Sequence, residues 1–156
     1  MRIAGALLFF ASLCCAADYN GPRPPKPDIP YLIHATTLVE TEVVEAKEEQ
    51  GKKDETTYVI AGAASPARTP LAEPIFLMES NKISPERLEL YRLDVKNGRR
   101  EITISQKKRK GPRQYRITVT RVADRLYRLE AGQSLEEGQY SLSPADSNRA
   151  FCFEVY

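Results

Sequence analysis

Along most of the chain apolar residues recur at every second position, and turn-forming residues interrupt them every dozen or so positions. A period of two sends alternate side chains to opposite faces of an extended strand, so the pattern predicts an all-β, antiparallel domain. Candidate strands lie at 31–35, 38–47, 57–62 and 74–78. Between the second and third, Glu48-Glu49-Gln50-Gly51-Lys52-Lys53-Asp54-Glu55 has no apolar residue to bury and reads as a solvated hairpin tip. Asn97-Gly98 is the sharpest local signal, because both residues accept the positive φ of a type I′ turn. Closing a hairpin there sets Leu93 opposite Ile102 and Tyr91 opposite Ile104, with the apolar residues of both strands on one face. Ser84 and Pro85 would also suit a helix start, but that register favours a strand over 85–96. Tyr115, Ile117 and Val119 then alternate with Arg116, Thr118 and Thr120, and a turn at Ala123-Asp124 leads to a strand at 126–130.

Near the end, Leu135-Glu136-Glu137-Gly138-Gln139-Tyr140-Ser141-Leu142 places a tyrosine just inside a strand that follows a short loop, with 150–156 as its last partner. This motif resembles the tyrosine corner of immunoglobulin-like sandwiches, and prealbumin-like domains carry a similar Leu, Gly and Tyr spacing. The resemblance covers about twenty residues and implies an antiparallel β-sandwich, immunoglobulin-like or prealbumin-like, of about seven to nine strands. The cysteine pair and tryptophan of true immunoglobulin domains are missing, and the chain has no Trp. A fold shared at this level implies no activity.

The N-terminus departs from the strand pattern. Met1-Arg2 carries one charge and is followed by an uncharged run from Ile3 to Leu13 and by Cys14-Cys15-Ala16-Ala17. This is the layout of a secretory signal peptide over 1–17, cut after Ala17, and the run is too short to span a bilayer. An acylated Cys14 or Cys15, giving a lipid anchor, is the rival reading of the same residues. Residues 18–30 hold five prolines and read as a linker, with a PxxP ligand as the alternative, leaving 31–156 as one β-sandwich domain. No second apolar run of spanning length follows. Asn20, Asn81, Asn97 and Asn148 all lack Ser or Thr two positions later, so no glycosylation acceptor exists. Together these features point to an exported protein of a bacterial periplasm or extracellular space.

Candidate chemistry is sparse. His34 is the sole histidine, which excludes an imidazole cluster and leaves this one ring for any catalytic triad. Its place in an apolar strand suits a structural role. Cys152 lies between Phe151 and Phe153, the surroundings of an inert core thiol, although a single exported cysteine could also join two chains. Glu40, Glu42 and Glu45 read as a solvated edge. No phosphate-binding glycine loop, Cys-x-x-Cys pair or nucleophile elbow occurs, so the expectation is a non-enzymatic protein with no cofactor and no metal.

Charge adds one more signal. The chain nets only +2, yet residues 99–128 carry eleven Lys or Arg against Glu101 and Asp124. Residues 38–55 carry seven acids against three bases. Lys107, Lys108, Arg109, Lys110 and Arg113 crowd a hairpin at 106–113, with Arg116 just beyond. That hairpin is the expected contact surface for an unknown protein partner or, alternatively, for an anionic polymer or membrane surface. It also serves solubility by discouraging edge-to-edge pairing. Nucleic acid is a poor fit, because Tyr115 and Tyr127 follow the strand period that core residues follow.

Overall fold

A computed structural model describes residues 18–52, 54–105 and 111–156. The signal-like segment 1–17 and Lys107, Lys108, Arg109 and Lys110 lie outside the described residues. In chain order the strands are β1 (Tyr31–His34), β2 (Thr37–Glu40), β3 (Glu42–Glu45), β4 (Lys47–Gln50), β5 (Glu55–Ala61), β6 (Arg68–Thr69) and β7 (Ile75–Glu79). They continue with β8 (Leu88–Lys96), β9 (Arg99–Ser105), β10 (Gln114–Tyr115), β11 (Ile117–Ala123), β12 (Leu126–Ala131), β13 (Gly138–Pro144) and β14 (Arg149–Val155). A single 3₁₀ turn at Pro85–Arg87 leads into β8, so the strand reading of this region holds.

The chain is an all-β sandwich of two sheets. Five strands pair in the order β11-β12-β7-β1-β2, and nine form the second sheet along the path β3-β14-β13-β8-β9-β5-β4, with β10 on β8 and β6 on β14. Every pairing is antiparallel except the two-residue contact of β6 with β14. The fourteen strands among the described residues exceed the seven to nine expected in part because two apolar runs are cut short, and β6 falls in a stretch read as a connection. The run at 38–47 is divided at Thr41 and Ala46 into β2, β3 and β4, which belong to different sheet edges. The run at 115–120 is divided at Arg116, where the chain leaves one sheet for the other.

Between the sheets lies the main core. Leu32, Phe76, Met78 and Leu129 from the first sheet meet Leu90, Tyr140, Leu142, Phe151 and Phe153 from the second. Phe76 and Phe153 make an edge-to-face contact across the layer, with ring centroids 5.0 Å apart. The Tyr140 hydroxyl donates to the Glu136 carbonyl at 2.7 Å, back across the loop that precedes β13. Residues 18–30 form no strand but lie on the domain: Pro24 and Pro30 are buried, and Asp28 accepts three backbone N–H bonds from Asn81, Lys82 and Ile83.

The nine-stranded sheet cannot be flat. Its path begins at β3 and ends at β4, yet only Ala46 separates these strands in the chain. Seven strands side by side would span roughly 29 Å. Glu45 and Lys47 can be no more than about 7 Å apart. The sheet therefore rolls up until its two ends meet, and its inner face encloses a second core of Ile60, Leu93, Ile102, Ala150 and Cys152. Strands β8, β13 and β14 are walls of both cores. On β14, Phe151, Phe153 and Val155 face the sandwich while Ala150 and Cys152 face the interior of the roll.

Asn97 and Gly98 have φ of 52° and 73°, as the turn requires, and Lys96, Val95 and Asp94 pair with Arg99, Arg100 and Glu101. Beyond that the expected register gives way. β9 leaves β8 after Glu101 to follow β5, and Tyr91 pairs with Gln114 of β10 instead of Ile104. Leu93 and Ile102 still share one face, because both point into the roll.

One end of the interior is closed by a buried ion pair. Arg100, 1% exposed, donates to both carboxylate oxygens of Glu42 and to the carbonyls of Ala61 (2.9 Å) and Gly62 (3.0 Å). Glu42 on β3 was expected at a solvated edge, and roll closure instead brings it over β9. Burial works against its charge, but the bonds from Arg100, the Ser65 hydroxyl and the Arg100 charge hold its carboxyl below the ordinary value. Glu42→Ala would strand the guanidinium and should cost about 3 kcal/mol in chemical denaturation. Arg68→Ala, which removes an exposed partner of Glu154, should change stability by less than about 1 kcal/mol. Because the folded pKa of Glu42 is depressed, its contribution is present above the ordinary 4.5 and is lost as pH falls through the folded value. The stability difference between the wild type and Glu42→Gln should therefore shrink between pH 6 and pH 3.

Candidate functional site

Strand alternation builds a site at the other end of the roll. The inward residues of β9 run Arg100, Ile102, Ile104, from the closed floor to the rim. On β5 the matching residues are Ile60 and Tyr58, and on β8 they are Leu93, Tyr91 and Glu89. Cross-strand partners share a face, so Glu48 joins Tyr58, Ser141 joins Tyr91 and Ser143 joins Glu89. These residues line a cavity of about 420 Å³ whose deep walls are apolar and whose rim is polar.

Its polar groups are unevenly charged. Glu89 Oε2 accepts a 2.8 Å bond from the Tyr91 hydroxyl, and burial together with that carboxylate raises the Tyr91 phenol above its ordinary range. Glu48 stands exposed on the opposite wall. Asp146 at the rim is engaged by Arg87 at 3.0 Å. Arg149 also borders the cavity, with its guanidinium 5.7 Å from the Phe151 ring, and it is the one base in a lining that carries three carboxylates, Glu48, Glu89 and Asp146. Ser141 is 2% exposed and accepts a bond from Ser143 at 3.3 Å, which leaves its own proton available as a donor.

The sequence did not single out this site. Glu48 belongs to the stretch read as a hairpin tip, and Glu89, Tyr91 and Tyr58 carry no motif. The only available signal was alternation of Glu89, Tyr91 and Leu93 on one face, and closure of the sheet is what sets that face opposite Tyr58.

The basic residues are dispersed. Arg99 pairs with Glu49 and Glu101, Arg100 with Glu42, Arg121 with Asp124, Arg125 with Glu79 and Arg128 with Glu130. Two of these pairs, Arg99 with Glu49 and Arg100 with Glu42, join the acidic segment 38–55 to the basic segment 99–128, where β4 and β9 flank β5. Among the described residues, Arg113 and Arg116 have no carboxylate at ion-pair distance. Arg113 stacks over Tyr115 at 5.1 Å and borders a cleft of about 280 Å³ with Arg92, Asp94 and Glu101. Arg116 packs beside Gly132 at a separate, open cleft of about 530 Å³. That cleft is larger than the mouth of the roll, but its walls are mainly polar, and small-molecule sites combine apolar walls with a few fixed polar groups.

His34 ends β1 opposite Thr37, away from all three cavities, and its Nε2 is buried without a hydrogen-bond partner. Among the described residues no three His, Cys, Asp or Glu side chains gather as metal ligands. No protein-family model, curated protein or solved structure matches this chain.

Cys152 is fully buried below the cavity, and desolvation pushes its thiol up to about 12. In native protein at pH 8 the peptide containing Cys152 should remain unmodified by iodoacetamide, and it should be alkylated fully in denaturant. Mass mapping of that peptide checks both results, and rapid native alkylation would place the thiol outside the core.

Proposed function

We propose that this chain is an exported, non-enzymatic binding module that takes a small, partly apolar molecule in the mouth of its rolled sheet. The observation that carries the reading is the preformed cavity: apolar at depth, polar at the rim, and built from six strands and the β13–β14 turn held by a closed sheet. Export rests on the signal-like segment 1–17, with a lipid on Cys14 or Cys15 as the alternative fate of that segment. The tyrosine corner supports grouping the domain with immunoglobulin-like and prealbumin-like secreted sandwiches.

A neutral fluorescent probe, N-phenyl-1-naphthylamine, tests the cavity. It should bind at one site with micromolar affinity, and Ile104→Asp, at a rim position 37% exposed, should weaken it roughly tenfold without lowering thermal stability. Absence of saturable binding, or binding indifferent to Ile104→Asp, contradicts the reading.

One observation favours a second contact surface. Arg113 and Arg116 lie on the C-terminal side of Lys107, Lys108, Arg109 and Lys110 in the chain and have no internal counter-charge among the described residues. This suits electrostatic adhesion to an anionic polymer or membrane. Binding to phosphatidylglycerol vesicles should then fall steeply between 50 and 200 mM salt, roughly in those limits, and vanish on charge reversal at 107–110.

A further inference from the structure

We propose that the ligand of this cavity is an organic cation, a quaternary or protonated amine on an apolar body. The inference rests on the cavity reading above and adds its chemical selectivity. Glu48 and Glu89 stand on opposite walls of the mouth, on β4 and β8, and each shares its face with a tyrosine, Tyr58 and Tyr91. A cation seated between them would meet two carboxylates and the faces of two phenol rings. Aromatic faces attract cations through their quadrupole, and more strongly where water is excluded. An anion there would face a lining in which three carboxylates, Glu48, Glu89 and Asp146, outnumber the single guanidinium of Arg149, and Arg87 is held by Asp146.

Further down, the lining becomes Ile60, Leu93 and Ile102, which receives an apolar body but not a second charge. Ser141, almost wholly buried, presents a hydroxyl whose proton has no acceptor among the described residues. That group would reward a ligand with one hydrogen-bond acceptor beyond its charged end. Tyr91 is already fixed by its bond to Glu89, so one wall of the cation seat is in place before a ligand arrives.

The test is competition for N-phenyl-1-naphthylamine by benzyltrimethylammonium and by its neutral carbon isostere, neopentylbenzene. The cation should displace the probe at roughly one tenth of the concentration that the neutral isostere needs. In Glu48→Gln/Glu89→Gln the ratio of the two affinities should fall to about one. Glu48→Gln alone, at an exposed position, should reduce the ratio severalfold and serves if the double variant folds poorly. Equal displacement by the two compounds in the wild type overturns the cation inference while leaving the cavity reading intact. A ratio that persists in the glutamine variants overturns the assignment to these carboxylates. Failure of the probe to bind at all overturns the cavity reading and the inference together.

Discussion

Glu45, Ala46 and Lys47 follow one another in the chain, yet Glu45 sits in the strand bonded to β14 and Lys47 in the strand bonded to β5, at the two far ends of a seven-strand path. A single residue holds those ends together. The covalent link forces the sheet to curl, and the curl creates an interior that a flat sandwich layer would lack. Arg100 and Glu42 close one end of that interior, Ile60, Leu93 and Ile102 line its middle, and the mouth opens at the other end. The floor is rigid for an electrostatic reason: Glu42 and two backbone carbonyls satisfy four guanidinium contacts, and opening the roll would expose Arg100 and leave Glu42 without its partner.

Strands β13 and β14 are buried on both faces, and with β8 they serve two cores at once. This explains the run Ala150-Phe151-Cys152-Phe153, which is buried at four consecutive positions. Phe151 and Phe153 support the sandwich, where Phe153 meets Phe76 and Tyr140, while Cys152 faces the roll near Arg100. The thiol is therefore a small filler beside a buried charge, in surroundings that suppress its reactivity.

The class of fold was legible in the sequence because it depends on short-range facts. Period-two alternation, the Asn97-Gly98 turn and the Leu135, Gly138, Tyr140 corner each act within a dozen residues. Closure was not legible, because it depends on which strand ends meet, and Ala46 carries no mark of a sheet crossing. That gap accounts for the particular misses. Glu42 looked solvated until β3 was placed near β9, and Tyr91 looked paired with Ile104 until β10 took the edge of β8. The two ion pairs across the strands were illegible for the same reason, since a sequence count cannot show that Arg99 and Arg100 face Glu49 and Glu42.

The central claim is that the nine-stranded sheet is closed through Ala46. Nuclear Overhauser contacts in one uniformly labelled sample test it directly, by seeking the cross-strand pairs Val43 with Phe151 and Glu48 with Tyr58. A closed roll gives both sets at comparable intensity, together with contacts from Val44 and Tyr58 to the shared interior residues Leu93 and Ile102. An open sheet would give one set without the other and no contacts across the interior, and that result would remove the cavity, its floor and the binding function argued from them.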